Sequence, residues 1–278
     1  MSIYYVDGDF MPAETAVIPV DDLALMRGYG VFDFLRTYAG APLHLAEHVA
    51  RLICSAAKIG LELPWGEADI IRIVKETLAR NDLPEANVRI LITGGSSSDF
   101  ITPEGHPRLL VLVTPVAPKP AEWYREGVKI ITFPSSRTIP GAKSIDYIPA
   151  TMALSKAKKV GAVEALYIDE NGLVLECTTS NIFAVKTGTI VTPGDDILSG
   201  ITRKTVLALA EAHHPVKIGG LSLNELLAAD EVFITGSGKG LVPVVQIDDA
   251  VIGDGKPGRV TRGLMADLAA SQKSRPSP

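Results

Sequence analysis

Cysteine is almost absent from this chain: Cys54 and Cys177 are the only two, far apart in sequence. Two distant thiols form neither a zinc-ligand spacing nor a disulfide framework. No apolar run approaches the roughly 20 residues that a membrane-spanning helix needs, which excludes a spanning helix. An excess of basic residues is lacking too. The formal net charge of −5 offers no positive field to nucleic acid or to acidic membranes. The first residues, Met1-Ser2-Ile3-Tyr4-Tyr5-Val6-Asp7-Gly8, read as a strand and turn and lack the charged-then-apolar pattern of a signal peptide. A reducing cytoplasm is therefore the expected setting. What is present is a hydrophobic fraction of 46% with 21% charge, which excludes disorder and fits a folded enzyme.

At 278 residues the chain suffices for one large domain or two smaller ones. Apolar periodicity predicts strands around Ile3–Val6, Val31–Tyr38, Val88–Thr93 and Leu109–Thr114. It predicts helices over His44–Ile59 and Ala68–Asn81. The run Pro115-Val116-Ala117-Pro118-Lys119-Pro120 suits a semi-rigid linker. It divides an N-terminal domain of residues 1–115 from a C-terminal domain of residues 122–278, with 116–121 between them. The second part is richer in strands, at Val128–Phe133, Ala165–Ile168, Leu173–Leu175, Ile182–Val185, Thr189–Thr192, Glu231–Thr235 and Val244–Ile247. Helices are expected near 150–159, 202–212, 223–228 and 259–271, and a disordered tail from Lys273. Strands and helices do not alternate strictly, so the fold class is mixed α/β (α+β) rather than a doubly wound parallel sheet.

Four fragments carry chemistry. Glu176 follows the apolar run Leu173-Val174-Leu175, behind the hairpin signal Asn171-Gly172. A carboxylate at the inner end of a strand requires a cationic or N–H partner. Lys143, in Ile139-Pro140-Gly141-Ala142-Lys143-Ser144, is crowded by small and apolar residues. Desolvation there favours a nucleophilic amine; the alternative is a solvent-facing loop lysine. Gly200-Ile201-Thr202-Arg203 opens a helix and forms a natural phosphate seat, unless Ser199 or Thr202 simply caps it. Phe233-Ile234-Thr235-Gly236-Ser237-Gly238-Lys239-Gly240 is a second strand-to-glycine turn, or only a tight turn. Neither loop matches a Walker or dinucleotide fingerprint. An amine nucleophile, a buried acid and a phosphate seat are together what pyridoxal phosphate uses.

The ordered set Arg51, Lys143-Ser144, Glu176-x-x-x-Ser180-Asn181-Ile182-Phe183, Gly200-Ile201-Thr202 and Gly236-Ser237 resembles the class IV aminotransferases, the fold-type IV pyridoxal phosphate enzymes. The resemblance implies a small α/β N-terminal domain, a larger C-terminal domain with a barrel-like β core, and a homodimer. It also implies site roles. Lys143 attaches the cofactor and moves the proton. Glu176 pairs with the pyridine N–H. Ile201 and Thr202 hold the phosphate, with Gly236 and Ser237 nearby, and Ser180 and Asn181 complete the cofactor set. Arg51 adds a charge-assisted contact; read without the family it is a surface residue paired with Glu47 at i, i+4. Tyr147, one helical turn past Lys143, either lines the site or packs in the core.

The substrate residues depart from both standard patterns. Branched-chain enzymes carry a tyrosine about where Arg27 stands in Arg27-Gly28-Tyr29-Gly30-Val31-Phe32. Standard D-amino acid transaminases carry an Arg-x-His pair where this chain reads Ser96-Ser97-Ser98-Asp99-Phe100-Ile101. Arg89, in an otherwise apolar strand, needs an anion or an exposed face. With Arg27, supplied by the neighbouring subunit, it would grip a carboxylate, as in non-canonical D-amino acid transaminases. Lys239 is a further candidate for that carboxylate, and Phe32 is available to line the pocket. The alternative is that both arginines pair with local acids such as Asp33.

The expected reaction is amino transfer between a D-amino acid, such as D-alanine or D-glutamate, and 2-oxoglutarate or pyruvate. A branched-chain L-amino acid aminotransferase and an aminodeoxychorismate-type lyase are the rivals within the family. Outside it, His44-Leu45-Ala46-Glu47-His48 has the H-x-x-E-H form of inverted zinc proteases, but no third ligand accompanies it. No metal is expected.

Overall fold

A computed structural model describes residues 2–273. The tail expected from Lys273 onward thus lies almost wholly outside the described residues. Contacts divide the chain into two compact units. Of the described residues, the first holds 2–117 and 141–146, and the second holds 118–140 and 147–273.

The first unit contains β1 (Ile3–Val6), β2 (Asp9–Pro12), α1 (Leu23–Arg27), β3 (Gly30–Tyr38), β4 (Ala41–Pro42), α2 (Leu45–Lys58), α3 (Glu67–Ala79), β5 (Ala86–Thr93) and β6 (Arg108–Pro115). Its antiparallel sheet has the order β2-β1-β6-β5-β3-β4. Alternation on β3 sends Val31, Asp33, Leu35 and Thr37 inward. Val49, Leu52 and Ala56 of α2 and Ile70, Ile73 and Val74 of α3 close the core over that face. Asp33 is thus a carboxylate on an apolar face, aimed at α2.

The segment 141–146 joins this unit, whereas the sequence placed it with the C-terminal part. The reason is backbone pairing: Val31 bridges Ser144, Phe32 N–H donates to the Lys143 carbonyl at 2.9 Å, and Ile145 N–H donates to the Gly30 carbonyl at 3.0 Å.

The second unit contains α4 (Glu122–Arg125), β7 (Val128–Pro134), α5 (Ile148–Lys159), β8 (Glu164–Ile168), β9 (Val174–Cys177), β10 (Asn181–Lys186), β11 (Thr189–Thr192), α6 (Ile201–Glu211), β12 (Val216–Ile218), α7 (Leu223–Leu227), β13 (Glu231–Gly236), β14 (Gly240–Ile247), β15 (Ala250–Val251) and α8 (Arg259–Lys273). The sheet order is β12-β11-β10-β13-β14-β7-β8-β9, with β15 beside β14. The sheet curls until β9 returns to β10, where Cys177 bridges Ser180 through an N–H to carbonyl bond of 2.8 Å. Ile130, Leu166, Ile182, Ile234 and Val242 fill the inside of this barrel-like core. Outside it, Phe183 stacks on Phe233 at 4.7 Å beneath α6 and α8.

Each long element expected from periodicity is found within a few residues. The short ones, β2, β4, β12, β15, α1 and α4, were not legible: two to five residues carry no period, and pairing or capping defines them. Among the described residues no helix is long and apolar enough to cross a membrane.

Candidate active site

In the second unit Glu176 sits on β9, 2% exposed. Arg137 Nε donates to its Oε1 at 2.6 Å, and Asn181 Nδ2 reaches its Oε2 at 3.3 Å. The guanidinium also lies 5.7 Å from the Tyr147 ring centroid. Burial opposes the charge on Arg137, but Glu176 and Tyr147 outweigh it and hold its pKa above the ordinary value. Burial raises the Tyr147 phenol, and Arg137 only partly offsets that. Tyr147 is therefore a half-buried residue at the head of α5, bound to Arg137, rather than a core tyrosine. Arg137 is a site residue that the sequence reading missed. It lies in the loop Ser135-Ser136-Arg137-Thr138, which has no periodicity, and only the demand of a buried carboxylate for a cation pointed to it.

Asn181 also donates to the Leu198 carbonyl at 2.8 Å, tying β10 to the turn before α6. The N-cap of α6 is Gly200 itself, rather than Ser199 or Thr202. The fit is tight, since a Cβ on Gly200 would stand 2.0 Å from Asn181 Oδ1. Without a side chain, Gly200 leaves the first-turn N–H groups at Ile201 and Thr202 uncapped by the N-cap residue, which is the geometry that favours an anion. Gly236 and Ser237 stand in the β13–β14 hairpin turn, where Lys239 N–H closes onto the Gly236 carbonyl at 3.1 Å.

Lys239 does not project as a cation toward a substrate. Its Nζ binds the buried carboxylate of Glu164 and reaches Thr179 Oγ1 and Ser180 Oγ, each at 2.9 Å. Three donors meet three acceptors, so the ammonium is fully engaged within the frame. Glu164 also accepts from Thr178 Oγ1, Thr179 Oγ1, Thr179 N–H and Ser180 Oγ. Burial pushes the Glu164 carboxyl up, but Lys239 and these hydroxyls prevail and lower its pKa. Ser180, expected in the cofactor set, thus serves this buried network.

In the first unit the Lys143 N–H donates to Ser55 Oγ at 3.1 Å, and Ser55 in turn donates to the Arg51 carbonyl at 2.8 Å. Lys143 Nζ lies 4.5 Å from the centroid of the Phe32 ring, and Arg89 lies 5.6 Å from the same ring. Arg89 is on the exposed side of β5 and also contacts Phe34. It is therefore not paired with Asp33. Arg27, in the last turn of α1, is exposed and donates to the Met26 carbonyl at 2.8 Å.

Asp33 has other partners. Arg51 binds it through Nε at 2.8 Å and through a terminal nitrogen at 2.7 Å, and His48 Nδ1 stands 2.7 Å away. Arg51 thus binds Asp33, a buried carboxylate that needs a cation, and Glu47 binds His44 at 2.6 Å. Burial raises Asp33, but the bonds from His48 and Arg51 prevail and hold it well below the usual carboxylate range. Burial lowers His48. The two histidines of the H-x-x-E-H stretch take separate carboxylates. Among the described residues no group of three or more His, Cys, Asp or Glu side chains gathers as a metal site.

The donor set fits pyridoxal phosphate. The first unit holds an amine beside an aromatic ring; the second holds a buried carboxylate and a helix start whose N-cap has no side chain. The comparisons agree. The family model for amino-transferase class IV matches residues 30–247. A putative branched-chain-amino-acid aminotransferase of Methanocaldococcus jannaschii is 36% identical over 270 residues, 94% of this chain and 93% of that one. The D-alanine aminotransferase of Bacillus licheniformis is 33% identical over 276 residues, 95% of each chain. The crystal structure of the Escherichia coli branched-chain amino acid aminotransferase has a TM-score of 0.91 at 28% identity, covering 97% of this chain and 94% of that one. The chain belongs to the class IV aminotransferases and is a transaminase with pyridoxal phosphate as its cofactor.

Proposed function

We propose that the enzyme moves an amino group between a D-amino acid and a 2-oxo acid, with D-alanine or D-glutamate as donor and 2-oxoglutarate or pyruvate as acceptor. One observation carries this reading: the Phe32 ring has Lys143 Nζ at 4.5 Å and the Arg89 guanidinium at 5.6 Å from its centroid, so an exposed arginine shares that ring with the amine. A planar fork there suits a carboxylate. Arg27, where branched-chain enzymes carry a tyrosine, supplies a second cation from a neighbouring copy in a homodimer.

Pyridoxal phosphate, when bound, supplies the electron sink for the substrate carbanion. Lys143 would hold the cofactor covalently and would carry the proton to and from the substrate Cα. Glu176 would accept the pyridine N–H, with Asn181 steadying the carboxylate. Ile201 and Thr202 N–H, with Gly236 and Ser237, would seat the phosphate. Arg51, its guanidinium fixed by Asp33, would add positive charge to cofactor binding. Phe32 and, separately, Tyr147 would contact the substrate.

The 36% identical relative named as a putative branched-chain enzyme favours a second reading, transfer from branched-chain L-amino acids. Steady-state turnover with matched D- and L-donors separates the two. D-alanine and D-glutamate are expected to turn over with 2-oxoglutarate or pyruvate as acceptor. Turnover of L-leucine or L-valine, with no D-amino acid consumed, would establish the second reading.

A further inference from the structure

Arg137 has no part in the cofactor set above, yet it is a largely buried cation of the second unit held on Glu176. Its side chain is 14% exposed, and Nε is fixed on Glu176 Oε1 at 2.6 Å. A terminal nitrogen reaches toward the Thr178 carbonyl at 3.4 Å, just beyond β9, and the guanidinium lies 5.7 Å from the Tyr147 ring centroid and bonds that side chain. One planar group thus touches the strand that carries Glu176, the turn after it and the head of α5. Asn181 takes the other carboxylate oxygen, so Glu176 is gripped at both oxygens from different elements.

A buried carboxylate with a single holder can rotate about its last side-chain torsion; one held at both oxygens cannot do so without breaking a charge-assisted bond. We infer that Arg137 is a positioning residue that orients Glu176 toward the cofactor's ring nitrogen and fixes Tyr147 beside it. This rests on the reading that Glu176 accepts the pyridine N–H. Arg137 itself does not touch the reacting atoms; it acts through Glu176.

The test uses the holoenzyme with Arg137→Gln, Arg137→Lys, Glu176→Gln and the double variant Arg137→Gln/Glu176→Gln. Three readouts are the pyridoxal phosphate dissociation constant by equilibrium dialysis, the pH transition of the bound cofactor's visible band, and far-UV circular dichroism. Arg137→Gln is expected to keep its dichroism, hold the cofactor roughly tenfold or more weakly, and shift the pH transition, the scale on which a supporting partner acts on a bound group. Arg137→Lys should recover part of both, because it restores the charge without the fork. In the Glu176→Gln background the Arg137 change should add nothing to either readout. If Glu176→Gln moves both readouts and Arg137→Gln moves neither, the inference fails while the Glu176 reading stands. If Glu176→Gln moves neither, the Glu176 reading fails and takes this inference with it. Should Arg137→Gln not fold, wild-type affinity and pH transition in Arg137→Lys would overturn the inference.

Discussion

At the scale of single residues, the proposed chemistry rests on Glu176 and Lys143, and each supports a separable prediction. Glu176→Gln keeps the size of the side chain and its contact with Arg137 while removing the negative charge. Some bound cofactor should persist, held more weakly, and turnover should fall by about a hundredfold or more, the scale for removing an electrostatic group at the reacting centre. Unchanged turnover would return Glu176 to a structural role. Lys143→Ala should abolish the visible band of the lysine-bound cofactor and, with it, transamination; persistence of the band would remove Lys143 from the assignment. Lys239 is a different case. Its ammonium is bound to Glu164, Thr179 and Ser180, so its loss should be a stability defect. Lys239→Ala leaves the Glu164 carboxylate buried and uncompensated, at a cost of about 3–5 kcal/mol. Denaturant melts check this; a raised KM with unaltered stability would place Lys239 at the substrate after all.

At the scale of elements, the start of α6 depends on one missing side chain. Gly200 has ordinary backbone angles, φ −69° and ψ 134°, which alanine adopts without strain. Its requirement is space, because Asn181 Oδ1 occupies the position a Cβ would take and Asn181 is itself tied to Glu176 and Leu198. Gly200→Ala should therefore destabilise the protein by about 1–3 kcal/mol, as overpacking does, and weaken cofactor retention. Thermal melts of apo and holo forms check both effects.

The same elements show what was legible in the sequence. Apolar periodicity located α2, α3, β3, β5 and the second-unit strands, because those elements bury a continuous face. The hairpin signal Asn171-Gly172 placed Glu176 near the inner end of β9. Contacts between residues remote in sequence were not legible. Arg137 with Glu176, Arg51 with Asp33, and Lys239 with Glu164 are each made by the fold rather than by local spacing. Local rules instead offered Glu47 to Arg51 and a substrate to Lys239. Glu164 escaped notice because it begins a strand otherwise read from Ala165, and a lone acid at a strand end has no local signature.

For the whole molecule, buried carboxylates in both units set the acid limit. Asp33 has a folded pKa below its unfolded value of about 4. Its contribution is present above that unfolded value and is lost as pH falls through the folded one. Glu164, also lowered, acts with the same sign. His48, lowered by burial, adds to this, because the unfolded chain takes up its proton first as pH drops below about 6.5. Stability should decline from neutral pH toward pH 3, and more gently in Asp33→Asn/His48→Asn, which removes both linked groups, than in the parent. Melting curves over that range check the slope, and a parallel decline in the two proteins would mean that Asp33 and His48 are not linked groups.

The central claim is a lysine-bound cofactor that accepts its amino group from D-amino acids. Titration of the purified holoenzyme with D-alanine and, separately, with L-leucine, followed by visible absorbance, tests it most directly. The account predicts that D-alanine converts the lysine-bound band to that of the amine form, while L-leucine leaves it in place. Conversion by L-leucine with no response to D-alanine would contradict it.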